Sequence, residues 1–238
     1  MSGTTPKGIH DERQAAAWVR EMFGQVAPKY DLLNHLLSAN VDKMWRARTV
    51  KRVMPVLRRA DARVLDLCCG TGDLAIALRE KAAAQILASD FCHPMLTAAA
   101  RKAPLTLFEA DALQLPLADQ SLDLITVAFG FRNLVNYESG LRELRRVLRP
   151  GGTLAILEFS QPPNPLFARF YDFYSNRVLP AIGSAISGAK EAYTYLPESV
   201  RKFPNAPALA ELMRTTGYKE VAFERMTFGV VALHTGRR

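Results

Sequence analysis

A buried-strand pattern that ends in an acid and runs straight into a glycine turn limits what this chain can fold into more than any other feature. Val64-Leu-Asp-Leu-Cys-Cys-Gly-Thr-Gly-Asp73 starts as a near-continuous apolar run, the mark of a strand covered on both faces. Gly70 and Gly72 then allow a tight turn and a close approach of the backbone to a ligand, which a side chain would obstruct. The helix expected to open near Thr71 turns unpaired N–H groups and the positive end of its dipole toward the same spot. A second strand pattern, Ile86-Leu-Ala-Ser-Asp90, also ends in an acid. Asp90 stands eighteen residues past Gly72, near the spacing at which a carboxylate grips ribose hydroxyls. Together these features specify a nucleoside site at the edge of a parallel sheet.

The kind of nucleoside follows from what is missing and what is added. The dinucleotide fingerprint G-x-G-x-x-G fails, because Cys68 stands where its first glycine would be and no third glycine follows. A phosphate loop would need Gly-Lys-Ser/Thr, which is absent. A plain strand-to-helix turn accounts for the glycines, but not for acids at three successive strand ends: Asp66, Asp90 and the Glu109-Ala-Asp111-Ala112 segment. Such a set suits a neutral or cationic nucleoside better than a pyrophosphate. S-adenosylmethionine, with an ammonium, a sulfonium, ribose hydroxyls and an adenine amine, is the cofactor that acids can satisfy.

Along the chain, Gln14 to Val26 reads as an amphipathic helix with Ala15, Trp18, Met22 and Val26 on one face. From Arg63 onward strands and helices alternate. Strands are expected at Arg63–Leu67, Gln85–Asp90, Thr106–Glu109, Leu122–Phe129 and Thr153–Phe159. Helices are expected at Gly72–Lys81, Pro94–Lys102 and Glu138–Leu148, the last stopped by Pro150-Gly-Gly. The rhythm breaks over 160–207, a proline- and aromatic-rich insertion of the kind that covers a site. A helix over Ala206–Thr216 and two strands, Tyr218–Met226 and Gly229–His234, close the chain as an antiparallel hairpin. The expected organisation is an N-terminal helical lid over 1–60 and an α/β domain over 61–238, with a mostly parallel sheet and helices on both faces.

Composition narrows the setting. The chain has 238 residues and a net charge of +8, with no apolar run near the roughly 20 residues that span a bilayer. Its polar N-terminus has no apolar core of a secretory signal, so a cytoplasmic location is expected. Cys68, Cys69 and Cys92 lack metal-site spacing and are expected as reduced, apolar residues, and the dispersed histidines point to no metal. Between Asp42 and Arg63, eight basic residues (Lys43 and Arg46 among them) face two acids, with Met44, Trp45 and Val50 interleaved at helical spacing. A solvated helix face and an anion-binding surface both explain that pattern. Nucleic-acid methylation fits poorly. The place after strand four reads Phe129-Gly-Phe-Arg132, not the Asn/Asp-Pro-Pro-aromatic loop that holds an exocyclic amine, and no Pro-Cys nucleophile is present.

Four further segments carry a resemblance. Arg146-Val-Leu-Arg-Pro-Gly-Gly-Thr-Leu-Ala-Ile-Leu-Glu158-Phe-Ser160, Ala128-Phe-Gly-Phe-Arg132-Asn133, Tyr193-Thr-Tyr-Leu-Pro-Glu-Ser-Val-Arg-Lys-Phe-Pro204 and Gly229-Val-Val-Ala-Leu-His234-Thr-Gly236 resemble the menaquinone/ubiquinone-biosynthesis C-methyltransferases from about Trp18 to Arg237. In the N-terminal pattern Leu33 replaces a methionine, Asn40 a glycine and Asp42 a histidine. Ala128 stands where some members carry a serine.

The resemblance implies a class I, Rossmann-like methyltransferase fold with a seven-stranded sheet. It implies methyl transfer from S-adenosylmethionine to a ring carbon of a reduced polyprenyl quinone. The expected acceptor is a demethylmenaquinol, with a polyprenyl benzoquinol of ubiquinone synthesis, or both, as the alternative. Thr71, Asp90, Asp111 and Ala112 become the expected cofactor contacts, with Gly70 and Gly72 shaping the turn. Arg132, Asn133 and Tyr30 are expected at the acceptor, and Asp31 and His35 are unranked candidate bases. A bilayer-borne acceptor gives the basic stretch Lys43 through Arg63, with Met44 and Trp45, the expected role of docking on an anionic leaflet. A homodimer is left open, as is a non-catalytic module that keeps only the fold.

Overall fold

The computed structural model describes residues 3–4, 6–9, 11–31, 38, 40–178 and 190–238. Leu33, Asn34 and His35 lie outside them, so the expected base at His35 has no structural account. One sheet of seven strands runs in the order β3-β2-β1-β4-β5-β7-β6. Its strands are β1 (Val64–Leu67), β2 (Ile86–Asp90), β3 (Thr106–Glu109), β4 (Leu122–Ala128), β5 (Leu148–Phe159), β6 (Lys219–Met226) and β7 (Val231–Arg237). β1 pairs in parallel with both β2 and β4, β2 with β3, and β4 with β5. β7 lies antiparallel between β5 and β6. The order reverses between β1 and β4, and a sheet of this kind opens a crevice at the carboxyl ends of its strands at such a point.

Eight helices accompany the sheet among the described residues: α1 (Glu12–Val26), α2 (Val41–Leu57), α3 (Asp73–Arg79), α4 (His93–Lys102), α5 (Tyr137–Val147), α6 (Pro165–Phe173), α7 (Lys190–Lys202) and α8 (Ala206–Thr215). The strand period of two sorts the core into two layers. Leu154 and Ile156 of β5 pack with Leu141, Leu144 and Met213 on one face, and Ala155 and Leu157 pack with Val53, Leu57 and Leu78 on the other. Asp11 caps α1 by accepting from the Gln14 N–H, and the helix buries Ala15, Val19, Met22 and Val26. Val19 takes the deep place expected of Trp18, which stacks at the edge against Tyr195 with ring centroids 5.2 Å apart.

Two features differ from the expected pattern. α5 ends at Val147, but Pro150-Gly-Gly is not simply a helix stop. β5 begins at Leu148, opposite Leu122, and the register jumps so that Thr153 faces Leu124. Residues 149–152 bulge from the strand, and Arg238 clamps the bulge by accepting from the Gly151 N–H at 3.0 Å and donating to the Gly152 carbonyl at 2.9 Å. The second difference concerns Asn40. It replaces the family's glycine in the left-handed region (φ 61°), where asparagine is among the few residues other than glycine found readily.

Candidate active site

The glycine turn and the three strand-end acids converge on one cavity. Gly72, with φ 85°, leads into α3, and a Cβ there would meet Leu105 Cδ1 at 2.9 Å. Cys68 takes a φ of 53°, the left-handed backbone that the dinucleotide fingerprint reserves for glycine. Asp90 is buried and spends both carboxylate oxygens on the turn. Oδ2 accepts from the Gly70 N–H and Oδ1 from the Cys92 N–H, each at 2.9 Å. Burial raises its pKa, against the pull of those two N–H groups. Each oxygen keeps a further lone pair for a ligand hydroxyl.

Asp66 at the end of β1 also lines the cavity. Its Oδ1 accepts from Thr126 Oγ1 at 2.6 Å, while its buried Oδ2 has no partner. Burial pushes its pKa up to about 7. A buried carboxylate oxygen left unpaired is costly unless something from outside satisfies it. At the far lip, Asp111 is exposed and accepts from the Leu113 N–H at 2.9 Å, so one oxygen caps the local turn. Ala112 beside it is buried and lines the wall.

Thr71 lines the same cavity, and its hydroxyl is held by charged neighbours. Its hydroxyl donates to Asp31 and accepts from Lys102 Nζ at 3.3 Å. Lys102 also binds Asp31 at 2.8 Å and Asp73, and Asp73 faces Arg46, which is paired with Asp42. Burial disfavours the Lys102 charge, but its bonds to Asp31 and Asp73 outweigh this and raise its pKa. This chain of charges ties Asp31 and the start of α2 to the start of α3. It also gives Asp42, the family's histidine position, a structural partner in Arg46.

A second cavity adjoins the first, on the side of α1, α2, α6 and α7. Phe23, Tyr30, Arg46 and Phe129 line both. Tyr30 lies over the glycine turn, its Cε1 3.7 Å from where a Gly70 Cβ would sit. Phe129 holds a φ of 58°, a strained backbone for an aromatic residue and of a kind found at functional sites. Its ring meets Trp45 at 5.8 Å and Phe159 at 4.9 Å.

Arg132 and Asn133, adjacent in sequence, fall on opposite sides: Arg132 lines the second cavity and Asn133 the first. The buried Arg132 guanidinium binds Glu158 Oε1 at 2.9 Å, donates to the Phe129 carbonyl and lies over the Phe159 ring at 5.3 Å. Burial opposes its charge, but Glu158 alongside outweighs this and raises its pKa. Its Nε donates to Ser199 Oγ at 3.4 Å. Asn133 Oδ1 accepts from the Tyr195 hydroxyl at 3.1 Å, and that hydroxyl accepts in turn from Thr4 at 2.8 Å. Gly3 and Thr4 bond the Val135 and Leu134 carbonyls, so the first described residues form a strap across the cavity wall.

A model of the ubiE/COQ5 methyltransferase family matches residues 8–238. The chain belongs to that family. It is 49% identical over 223 residues to "Demethylmenaquinone methyltransferase" of Thermus thermophilus, covering 91% of this chain and all of that one. It is 39% identical to "Ubiquinone/menaquinone biosynthesis C-methyltransferase UbiE" of Dinoroseobacter shibae, covering 99% of each. Its fold is shared with a SAM-dependent methyltransferase from Thermotoga maritima (TM-score 0.67, 19% identity, 91% of this chain and 98% of that one).

In this ubiE/COQ5 methyltransferase the first cavity fits S-adenosylmethionine. The orphaned Asp66 Oδ2 suits the ammonium, Asp90 the ribose hydroxyls, and the Asp111–Ala112 lip the adenine. Among the described residues no cluster of three or more metal-ligand side chains occurs. No described helix is long and apolar enough to cross a membrane. The basic stretch departs from its expected form. Trp45 is buried, donating from Nε1 to Thr227 Oγ1 at 2.8 Å, and Arg46 is buried against Asp42, so neither belongs to an exposed docking surface. The face bearing Asp42, Trp45, Arg46, Thr49, Val53 and Leu57 turns inward because it must cover the sheet. Asp66, read from the sequence as one of the three strand-end acids but given no contact of its own, lines the cavity. Lys102 and Tyr195 were not expected there, because their pairings cross the chain and have no local signal.

Proposed function

We propose that this methyltransferase moves the methyl group of S-adenosylmethionine to a ring carbon of a demethylmenaquinol. The observation that carries the reading is the wall shared by the two cavities, with a buried, paired cation on the acceptor side. When bound, S-adenosylmethionine supplies an electrophilic methyl carbon. Asp66, Asp90, Asp111 and Ala112 hold the donor, with Thr71 fixed behind the turn by Asp31 and Lys102. A ring carbon becomes nucleophilic once a neighbouring hydroxyl ionises, and a phenol titrates near tyrosine, at about 10. Arg132 stays protonated and offers its charge to the phenolate, while Glu158 keeps the guanidinium in place. Tyr30, which lines both cavities, and Asn133, on the donor side, orient the two partners, which alone is worth about 7–11 kcal/mol.

Residues 1–60 serve as the lid that excludes water from this meeting point. The acceptor carries a polyprenyl tail and is taken from an anionic membrane by a peripherally bound, cytoplasmic enzyme that needs no metal and no nucleic acid. The relatives support the naphthoquinol reading, since demethylmenaquinone methyltransferases reach 49% and 44% identity. The 39% relative whose name covers both quinones supports benzoquinol as the second acceptor. Radiolabelled donor offered with short-chain demethylnaphthoquinol and with a methoxybenzoquinol decides between them. Faster labelling of the naphthoquinol is expected. Preference for the benzoquinol would reverse the assignment, and labelling of neither would overturn it.

A further inference from the structure

Five large apolar side chains are exposed among the described residues, and they are not scattered. Leu166 (79% exposed), Phe170 (67%) and Phe173 (63%) lie on α6, and Phe228 (79%) tips the turn between β6 and β7. The fifth, Met44 (55%), precedes Arg48 by one helical turn on α2, and Arg48 reaches Glu224 of β6 at 2.8 Å. The other side of α6 is also apolar: Phe167, Ala168 and Tyr171 line the acceptor cavity. A helix apolar on both sides is one that is covered on both sides. Among the described residues, only the inner side of α6 faces a cavity wall, and Leu166, Phe170 and Phe173 face outward.

The turn that carries Phe228 is built to hold it out. Thr227 and Phe228 both take left-handed backbone (φ 49° and 55°), and Thr227 is pinned by Trp45. A Cβ on Gly229 would strike Pro163 Cδ at 2.6 Å, so the turn is pressed onto the start of the insertion. The Phe228 ring meets Phe167 at 5.1 Å, and Phe167 meets Phe170 at 6.4 Å. Phe167 lines both the acceptor cavity and the outer groove, so a single aromatic side chain stands between the outer face and the site.

We propose that this face, α6 with the β6–β7 turn, docks on an anionic lipid bilayer. The proposal rests on the polyprenyl-quinol reading above, since an enzyme that takes a bilayer-borne acceptor must meet the bilayer. Charge selects the occupant. Arg169 is exposed on α6 together with Asp172, the exposed Arg225 lines the outer groove beside Phe228, and Lys51 lies on the Met44–Arg48 face of α2, so the face carries more positive than negative charge. A second copy of the chain would bring the same cations against them, whereas anionic headgroups neutralise them while the rings enter the acyl boundary.

The test uses the full chain and vesicles of phosphatidylcholine with about 30 mol% phosphatidylglycerol. Wild type should pellet with these vesicles and not with phosphatidylcholine alone. Leu166→Ser/Phe170→Ser/Phe228→Ser should bind at least about tenfold more weakly. The same variant should methylate a short-chain quinol at the wild-type rate and a vesicle-embedded long-chain quinol about tenfold more slowly. Arg169→Glu/Arg225→Glu should lose anionic selectivity with its melting temperature unchanged. Equal pelleting of wild type and the serine variant would overturn the proposal. So would a lipid-free wild-type dimer that the serine variant dissolves, which would make the patch a self-association surface. Inactivity toward the short-chain quinol in both proteins would sink the acceptor reading, while the pelleting result would still judge the surface.

Discussion

The donor and acceptor cavities share a wall but are assembled in different ways. The donor side comes from chain-local pieces: the ends of β1, β2 and β3 and the turn between Leu67 and Asp73. The glycine turn is held to Asp90 of the next strand, and the longest bond the strand-end acids make runs from Thr126 to Asp66 on the neighbouring strand. The acceptor side is stitched over distance: Thr4 to Tyr195, Trp45 to Thr227, Arg132 to Ser199 at 3.4 Å. Strand ends hold a cofactor of constant shape in a rigid frame. Helices and a strap that are far apart in sequence wall the acceptor side.

The contrast is most easily broken at Arg132, which should matter only to the acceptor side. Arg132→Met should cut methyl transfer by roughly 100-fold or more while donor affinity by calorimetry stays near wild type. It also leaves Glu158 buried without its partner, so urea unfolding should show a loss of about 3–5 kcal/mol. Adding Glu158→Gln should restore most of the stability and none of the rate. A double variant that regains turnover would move the chemistry away from Arg132.

A smaller effect sharpens the donor side. Asp66 titrates at about 7 because it is buried, well above the usual carboxylate range. In the ligand-free fold it therefore keeps its proton where the unfolded chain has lost it, and stability should fall as pH rises from about 4 through 7. Donor affinity should move the other way, rising as pH approaches 7, because the ionised form attracts the ammonium. Asp66→Asn should flatten both trends and weaken donor binding by roughly tenfold at pH 7.5. Affinity independent of pH in the wild type would remove Asp66 from the site. The smallest expected effect is at Asn40. Asn40→Ala should lower stability by about 1 kcal/mol, and Asn40→Gly should be close to neutral by the same unfolding measurement.

How much of this was legible follows from the same contrast. The glycine turn, the acids and the alternating strands could be read because each depends on neighbours a few residues away. The closing hairpin was legible for the same reason. The inward turn of Trp45 was not, because a helix with basic residues on most sides shows its buried face only once the sheet it covers is known. The bulge at residues 149–152 was hidden too, since Pro-Gly-Gly stops a helix as readily as it interrupts a strand, and the deciding contact comes from Arg238. Asp42 looked like a lost histidine, and only the fold shows the ion pair with Arg46 that occupies its place. Arg132 was visible as a charge after strand four, but its counterion had to be found twenty-six residues later.

The strap at Gly3 and Thr4 has a practical consequence. Their two amide protons are given to the carbonyls of Val135 and Leu134, on the wall of the donor cavity. Deuterium uptake at these two positions therefore reports how often the strap leaves that wall.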